Sequence, residues 1–213
     1  AQVNVVGTVN TLEAARAAGA HLVFASTGGA IYGDVEEPAA EDAPLRPVSA
    51  YGLAKRAAEV YLDGWNRMFG SGHVVLRFAN VYGPRQSASL EGGVVAIFLE
   101  RLLAGEPTAI FGDGTITRDF VHVDDVVRAL LAAGERRDGV FNVGTGVETS
   151  VAELHSLCEA AVGVTAPPRF DPPRAGDAQR SVLDPRRAAT ELGFTAAVPL
   201  ADGITATLAA EKE

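Results

Sequence analysis

The sequence predicts an α/β protein built on a doubly wound parallel sheet, and three observations support this fold class. Short apolar runs of strand length alternate along the chain with helical patterns of ten or more residues, which is the arrangement of βαβ units. The strand candidates are continuously apolar, as buried parallel strands are. Glycine-rich turns follow several of them, at the strand ends where ligands bind in open α/β sheets.

Helix and strand patterns alternate from the beginning of the chain. Apolar spacing of three and four predicts the helices, Gly19 and Gly70 are candidate C-caps, and Ser49 is a candidate N-cap. Three prolines and several acidic residues predict that the stretch after the first strand is a loop. The predicted elements are a helix over 4–19, a strand over 21–26, a glycine-rich turn over 27–33, a loop over 34–47, a helix over 50–69, a strand over 74–80 and a turn over 81–85.

The second half continues the same alternation. Asp124 is the candidate N-cap of its central helix, because a carboxylate is favoured at a helix N-terminus. The predicted elements are a helix over 94–103, a strand over 108–111, an extended segment over 120–123, a helix over 124–133, a strand over 140–143, a helix over 150–162, a proline-rich connection over 167–176 and helices over 185–192 and 200–211.

Charge and cysteine content exclude several classes of partner. The net charge is −9 and no run of Lys or Arg exceeds two residues, so the sequence predicts neither a nucleic-acid partner nor an anionic membrane surface. No apolar run approaches the roughly 20 residues that span a bilayer. Cys158 is the single cysteine, which precludes an intramolecular disulfide and favours a reducing, cytoplasmic location. We expect no metal site, since Asp124 and Asp125 are explained by helix capping.

Tyr51 and Lys55 are the first candidates for chemistry. Four residues apart at the start of a helix, their side chains are neighbours, and an ammonium beside a phenol favours the phenolate, which can act as a base near neutral pH. The alternative is that Tyr51 packs on the sheet while Lys55 pairs with Glu59. The preceding strand ends in Ser26 and Thr27, whose hydroxyls could bind the same substrate oxygen as the tyrosine.

Several motifs, in order and spanning nearly the whole chain, resemble the extended short-chain dehydrogenases/reductases, and within them the NAD-dependent nucleotide-sugar epimerases. The motifs are Phe24-Ala-Ser-Thr-Gly-Gly-Ala-Ile-Tyr-Gly33, Tyr51-Gly-Leu-Ala-Lys55, Leu76-Arg-Phe-Ala-Asn-Val-Tyr-Gly-Pro-Arg85, Phe111-Gly-Asp-Gly114, Thr117-Arg-Asp-Phe-Val-His-Val-Asp-Asp125, Phe141-Asn-Val-Gly-Thr-Gly146 and Arg174-Ala-Gly-Asp177. The resemblance implies a Rossmann-like sheet with a smaller α/β substrate-binding region at the carboxyl end.

One motif of that family is missing. Its members begin with a Gly-x-x-Gly-x-x-Gly turn that holds the dinucleotide pyrophosphate, and the 213 residues contain no such turn. The stretch Asn4-Val-Val-Gly-Thr8 resembles the segment after the fourth strand of the family. We therefore expect the sheet to be incomplete at its amino end and the chain to be a fragment. By the same resemblance, residues 1–80 and 118–146 are the remainder of the NAD-binding domain, and residues 81–117 and 147–213 form the nucleotide-sugar-binding domain.

The resemblance also implies roles for individual residues. In the reaction it implies, NAD takes a hydride from C4 of a UDP-hexose and returns it to the other face of the sugar. Tyr51 is the base and Lys55 its activator, Thr27 binds the reacting oxygen, and Ser26 is its substitute. The implied cofactor contacts are Tyr51, Lys55, Asn4 and Ala79, although Asn4 could instead cap the first helix.

The implied substrate contacts lie mainly in the second half of the chain. Asn80, Arg118 and Arg174 would bind the diphosphate, and Arg85 is a further candidate; surface salt bridges are the alternative for the arginines. Asp177 would bind the ribose unless it is a solvated loop residue. Ala109 and Phe111 would face the uracil unless they only pack in the core.

The sequence leaves alternatives to epimerisation and to a homodimer. Related 4,6-dehydratases and UDP-glucuronate decarboxylases carry an acidic residue in the turn where this chain has Thr27-Gly28-Gly29, so epimerisation is preferred. The sequence does not identify the sugar or the nucleotide base. A non-catalytic nucleotide-sugar-binding remnant is the alternative from a different functional class. The family often dimerises through the helix that carries the Tyr-x-x-x-Lys motif. A homodimer would place Tyr61, Leu62, Trp65 and Phe69 partly in the interface.

Overall fold

The computed structural model describes residues 1–88, 93–174 and 176–210; Ala175 and Glu211, each part of a predicted segment, lie outside these ranges. The helices are α1 (Gly7–Ala18), α2 (Gly28–Ile31), α3 (Ala50–Phe69), α4 (Val94–Ala104), α5 (Val123–Gly134), α6 (Val151–Val162), α7 (Arg186–Leu192) and α8 (Leu200–Ala210). The strands are β1 (Val23–Thr27), β2 (Val74–Phe78), β3 (Asn80–Tyr82), β4 (Ala109–Phe111), β5 (Thr117–Arg118), β6 (Phe120–His122), β7 (Gly139–Val143), β8 (Thr149–Ser150), β9 (Arg169–Asp171) and β10 (Arg180–Ser181).

A parallel sheet of order β1-β2-β7 is the largest sheet of the described residues. Helices cover both of its faces, as a doubly wound sheet requires. Val75 packs with Leu12 of α1 and Leu62 of α3 on one face. On the other face, Leu76 and Phe141 belong to a cluster with residues of α5 and α7. The predicted α/β class is confirmed.

Smaller sheets accompany this one. β3 pairs in parallel with β6, β4 pairs in parallel with β9, and β5 lies between β10 and β8. A separate buried cluster joins α4, α6 and α8 through residues such as Phe98, Leu154 and Ile204. The predicted two-domain division stays a prediction. Leu183, Ala188 and Phe194, which it assigns to the second domain, pack in the cluster of the β1-β2-β7 sheet.

The capping signals mostly predicted the helix ends. Ser49 Oγ accepts a hydrogen bond from the Gly52 backbone N–H at 3.1 Å, and Gly70 ends α3 at φ 62°. Asp124 was the wrong cap for α5: the cap is His122, whose Nδ1 accepts from the Asp124 N–H. The predicted turn over 27–33 was also wrong in part, since α2 occupies its centre.

Within the described ranges, no helix is long and apolar enough to cross a membrane.

His21 and His73 lie beside each other at the amino ends of β1 and β2, with ring centroids 6.4 Å apart. His73 Nδ1 accepts a hydrogen bond from the Leu22 backbone N–H at 3.2 Å. Burial lowers the pKa of both imidazoles, aided at His21 by Arg137 and at His73 by His21. The folded state therefore favours the neutral imidazoles over their cations.

Acid should weaken the fold through this pair. A histidine whose folded pKa lies below its unfolded value of about 6.5 contributes stability above that pH and loses it as the pH falls toward the folded value. We expect the free energy of unfolding, measured with urea at several pH values, to decrease below about pH 6.5. His73→Gln should flatten this decrease. An identical slope in the variant would exclude His73 as its source.

Candidate active site

The carboxyl ends of the three sheet strands lie in line. Thr27 is paired with Phe78, and Phe78 with Val143, so the residues that follow these strands share one edge. Ligands bind outside this edge in open α/β sheets. We therefore begin the site at Thr27, Ala79 and the turn after Val143.

Tyr51 and Lys55 lie in the first two turns of α3. The tyrosine side chain is 47% exposed, and Lys55 Nζ lies 5.8 Å from the centroid of its ring. Lys55 Nζ also donates a hydrogen bond to the Ala25 carbonyl at 2.9 Å, which ties the helix to β1. Burial lowers the pKa of the Lys55 ammonium. The alternative in which Lys55 pairs with Glu59 was wrong, because Glu59 pairs with Arg77.

The two hydroxyls at the end of β1 have different surroundings. Ser26 Oγ donates to Glu59 Oε1 at 2.5 Å in the interior. Thr27, mostly buried, is the last residue of β1 and precedes α2, where its side chain makes no cap hydrogen bond. Thr27 is therefore the better placed of the two for a ligand at the sheet edge.

Asn80 and Ala79 follow β2 at the same edge. A Cβ on Gly29 would lie 3.0 Å from Asn80 Oδ1, so the amide is packed beside the turn that follows Thr27. Ala79 is buried, and its N–H donates to the Val143 carbonyl at 2.9 Å. Asn80 thus lies next to the turn of α2, while Ala79 offers a ligand little surface.

Gly52, beside Tyr51, permits the close approach of α3 to α2. A Cβ at this position would come closer than 3.0 Å to the Ala30 carbonyl oxygen, whereas a Cβ on Gly64 of the same helix would meet only Met68 Cε at 4.0 Å. The small residue therefore permits the start of α3 to pack directly on α2.

We expect Gly52→Ala to lower the free energy of unfolding by about 1–3 kcal/mol, the usual cost of overpacking. The matched variant Gly64→Ala should raise it by roughly 0.5–1 kcal/mol, because alanine favours an unobstructed helix interior. Urea denaturation of both variants checks the pair. Equal effects of the two substitutions would contradict the close contact.

Asp119 fixes the turn after β7, a role that the sequence did not predict. Its carboxylate accepts from the Thr145 backbone N–H at 2.9 Å, from Thr145 Oγ1 at 2.6 Å and from the Gly146 N–H at 3.1 Å. Burial raises the pKa of Asp119 although these hydrogen bonds act in the opposite direction. The Thr145 and Gly146 donors of this turn are thus satisfied by Asp119.

A second group of predicted residues lies on the small sheets. Arg118, half-buried on β5, donates to the Thr117 carbonyl. Burial lowers its pKa, and the charges of Asp177 and Asp34 raise it. Asp177 itself is exposed. The structure therefore brings Arg118 and Asp177 within electrostatic reach of each other.

Phe111 and Arg174 are stacked. The guanidinium carbon lies 3.7 Å from the ring centroid of Phe111, a cation–π geometry. Ala109, on the same strand, is half-buried. A cavity of about 650 Å³ adjoins them and is lined by Gly112, Asp113, Ile116, Phe170, Asp171, Pro173 and Gln179. Its size lies within the range of small-molecule pockets.

Arg85 and Asn4 are the remaining predicted residues. Arg85 is exposed at φ 70° and lines a cavity of about 240 Å³ with Gln86 and Glu100. Asn4 lies in the π-helical turn Gln2–Val6, and its carbonyl accepts from Thr8 Oγ1. Asn4 does not cap α1, because Val6 occupies the cap position without a side-chain hydrogen bond.

The sequence did not predict a buried ion pair formed by Glu59, which follows Tyr51 and Lys55 on α3, and Arg77. Arg77 Nη2 and Glu59 Oε2 are 2.7 Å apart, with both side chains less than 10% exposed. Burial lowers the pKa of Arg77, but its bonds to Glu59 and Tyr32 raise it above the usual value overall. A charged residue in the middle of the apolar run 74–78 was the available signal, since such charges are buried only when paired.

The residues at the sheet edge fit the nicotinamide-ribose end of NAD. Lys55 has three N–H donors, and one of them is directed to Ala25, which leaves donors for ribose hydroxyls. The exposed Tyr51 lies beside it. A glycine-rich turn for the pyrophosphate is not among the 213 residues. Among the described residues, no group of His, Cys, Asp and Glu could hold a metal ion.

The chain is similar to known proteins in sequence and in structure. A model of the NAD dependent epimerase/dehydratase family matches residues 1–144. UDP-glucose 4-epimerase of Mycolicibacterium smegmatis is 51% identical over 212 residues, which span 98% of this chain and 68% of that protein. The structure of UDP-glucose 4-epimerase from Thermotoga maritima with UDP-glucose matches at TM-score 0.96 and 45% identity, covering 99% of this chain and 70% of that one. The Thermus thermophilus UDP-glucose 4-epimerase complex with NAD matches at TM-score 0.93 and 42% identity, with the same coverage.

Proposed function

The chain belongs to the NAD-dependent epimerase/dehydratase family, and from this premise we propose that it catalyses the reversible 4-epimerisation of a UDP-hexose, interconverting UDP-glucose and UDP-galactose. The observation that carries the proposal is that Lys55 Nζ lies 5.8 Å from the Tyr51 ring centroid and donates to the Ala25 carbonyl of β1, two residues before Thr27 at the strand end. The similarity to UDP-glucose 4-epimerases over nearly the whole chain supports the choice of substrate.

Each residue at the edge has a distinct task in this proposal. The Tyr51 oxygen accepts the proton of the C4 hydroxyl, and Thr27 Oγ1 hydrogen-bonds the same oxygen. The Lys55 ammonium stabilises the tyrosinate and binds the nicotinamide ribose. NAD, held at its nicotinamide ribose by Tyr51 and Lys55, would supply reversible hydride chemistry at C4 of the sugar, so the overall reaction would be redox-neutral. Asn4 and Ala79 would contact the cofactor at its nicotinamide end.

The nucleotide would be held by the second group of residues. We assign the diphosphate to Arg118, Arg174 and Asn80, because guanidinium groups match phosphate oxygens in an acidic protein. Arg85, exposed in the 83–86 turn, is a further candidate for the diphosphate. Asp177 would accept hydrogen bonds from the ribose, and the uracil would lie against Ala109 and Phe111. An anchored nucleotide lets the sugar turn over while it stays bound.

Alternatives within the family differ at one turn. Dehydration or decarboxylation calls for an acidic group beside the reacting sugar, and Thr27 is followed by Gly28 and Gly29. A non-catalytic nucleotide-sugar-binding protein is the second candidate. Measured turnover separates it from the enzyme.

A homodimer is part of the proposal, with its interface on α3. Tyr61, Trp65 and Phe69 form a row of edge-to-face rings, with centroids 6.1 and 5.8 Å apart. Tyr61 is 42% and Phe69 49% exposed, and exposed aromatic rows of this kind mark interfaces. Leu62 was wrongly assigned to this surface, because it is fully buried in the core. We also propose a cytoplasmic location, because the chain has a single cysteine, Cys158, and this cysteine is not in a disulfide.

The test of the function uses the product of the complete reading frame. Denaturing the purified protein should release NAD in amounts comparable to the protein, and incubation with UDP-galactose should yield UDP-glucose without added oxidant. Deoxythymidine diphosphate-glucose and UDP-glucuronate serve as competing substrates. NAD-containing protein that converts none of these nucleotide sugars would refute the proposal.

A further inference from the structure

Glu59 continues the face of α3 that carries the proposed chemistry. Tyr51, Lys55 and Glu59 are spaced by four residues, so their side chains follow one another along the same side of the helix. Tyr51 at the amino end is exposed, whereas Glu59 is only 8% exposed. The exposed end of this face meets solvent at the sheet edge, and its inner end lies against the sheet.

The Glu59 carboxylate connects the helix to two strands. Oε1 accepts from Ser26 Oγ of β1 at 2.5 Å, and both carboxylate oxygens accept from the Arg77 guanidinium of β2 at 2.7 to 3.2 Å. Ser26 directly precedes Thr27. The carboxylate therefore sets how far α3 stands from the strand that ends in the threonine.

The network extends to the third strand and to the end of α2. Arg77 Nη1 donates to the Tyr32 hydroxyl at 2.7 Å and to the Glu41 carbonyl at 3.0 Å. The Tyr32 hydroxyl donates to Asn142 Oδ1 of β7 at 2.8 Å. Each named group has a partner, and a fully satisfied buried network rigidifies its surroundings.

Stability alone does not account for such a pair. Replacing a buried ion pair by apolar residues of similar volume is often neutral or stabilising, so its presence is weak evidence for a contribution to stability. What a hydrogen-bonded ion pair provides is directional contact, which apolar packing lacks. This ion pair lies between α3 and Ser26, the residue before Thr27. Directional contact matters most there, because the Tyr51 and Thr27 oxygens are proposed to bind the same substrate hydroxyl.

We propose that Ser26, Glu59 and Arg77 form a positioning unit that holds the amino-terminal half of α3 against β1 and thereby sets Tyr51 at the correct distance from Thr27. Ser26 acts through Glu59 and does not touch the sugar. The catalytic part of this inference rests on the proposed function; the structural part does not.

Hydrogen exchange tests the structural part directly. In the complete gene product, Glu59→Gln should speed exchange of the amides of residues 53–58 and 26–27 relative to the wild type. Ser26→Ala, a milder change, should produce the same local pattern and serves if the first variant folds poorly. Asp125→Asn is the matched control, since Asp125 is a buried carboxylate that pairs with Arg128 away from α3. Unchanged exchange at these amides in both test variants would overturn the proposal.

Kinetics test the catalytic part. Each single variant should lower kcat by roughly 10- to 100-fold at a temperature where it remains folded, as expected for a small displacement of reacting groups, with little change in KM. Because the two residues act as one unit, the double variant should be no slower than the slower single variant. Asp125→Asn should keep the wild-type kcat despite lost stability. Normal kcat in the folded variants would reduce the network to a structural role. If the wild type converts no nucleotide sugar, the proposed function fails, and the exchange data alone decide the positioning claim.

Discussion

Replacing Tyr51 by phenylalanine should lower kcat by about 10² to 10⁴-fold, the usual contribution of a general acid or base. The substitution removes one oxygen from a side chain that is 47% exposed, so the fold should be unaffected. KM for the nucleotide sugar should change little, because the proposed nucleotide contacts lie on the small sheets and beside α2.

The matched control is Tyr61→Phe, the same chemical change on the same helix at an exposed position away from the sheet edge. It should leave kcat unchanged. Initial rates with UDP-galactose, measured for both variants at saturating substrate, provide the comparison. Undiminished turnover in Tyr51→Phe would eliminate this residue as the base.

Replacing Arg77 by methionine should lower the free energy of unfolding by about 3–5 kcal/mol, because it leaves the Glu59 carboxylate buried without its counter-charge. The side chain of Arg77 is only 5% exposed, so water cannot take its place without rearrangement. The Tyr32 hydroxyl and the Glu41 carbonyl would each lose a donor as well.

Arg67→Met is the matched control for this loss. Arg67 pairs with Asp63 at 2.7 Å, but both side chains are well exposed, and such surface pairs contribute less than about 1 kcal/mol. Urea denaturation of both variants at neutral pH gives the two values. Similar losses in Arg77→Met and Arg67→Met would show that the buried pair is not a special feature of this core.

The sequence predicted those parts of the fold that depend on local patterns. The helix predicted over 50–69 matches α3, with Ser49 and Gly70 as its caps, whereas the strand predicted over 74–80 ends earlier, at Phe78. The cap of α5 was misassigned because an imidazole acceptor such as His122 is a less common cap than a carboxylate such as Asp124, two residues later. β3 and β9 were not predicted: Gly83-Pro84 indicated a turn beside β3, and β9 lies in the proline-rich stretch 167–176.

The candidate site was predictable only where the resemblance to a known family implied which residues act together. The spacing of Tyr51 and Lys55 predicted that they share one face of the helix. It did not predict which group Lys55 contacts. Its partner proved to be the Ala25 carbonyl, and Glu59 proved to be the partner of Arg77. Contacts between residues distant in the chain depend on how helices and strands are packed. Neither propensity nor charge spacing along one helix contains that information.

The central claim is that the chain acts on a UDP-hexose by removing hydrogen from C4 and returning the same hydrogen to the other face. Conversion of UDP-galactose in deuterium oxide, followed by mass spectrometry and NMR of the sugar, tests this most directly. We expect UDP-glucose without deuterium at C4, because a hydride carried by the bound cofactor does not exchange with solvent. Solvent deuterium at C4 of the product would contradict the account.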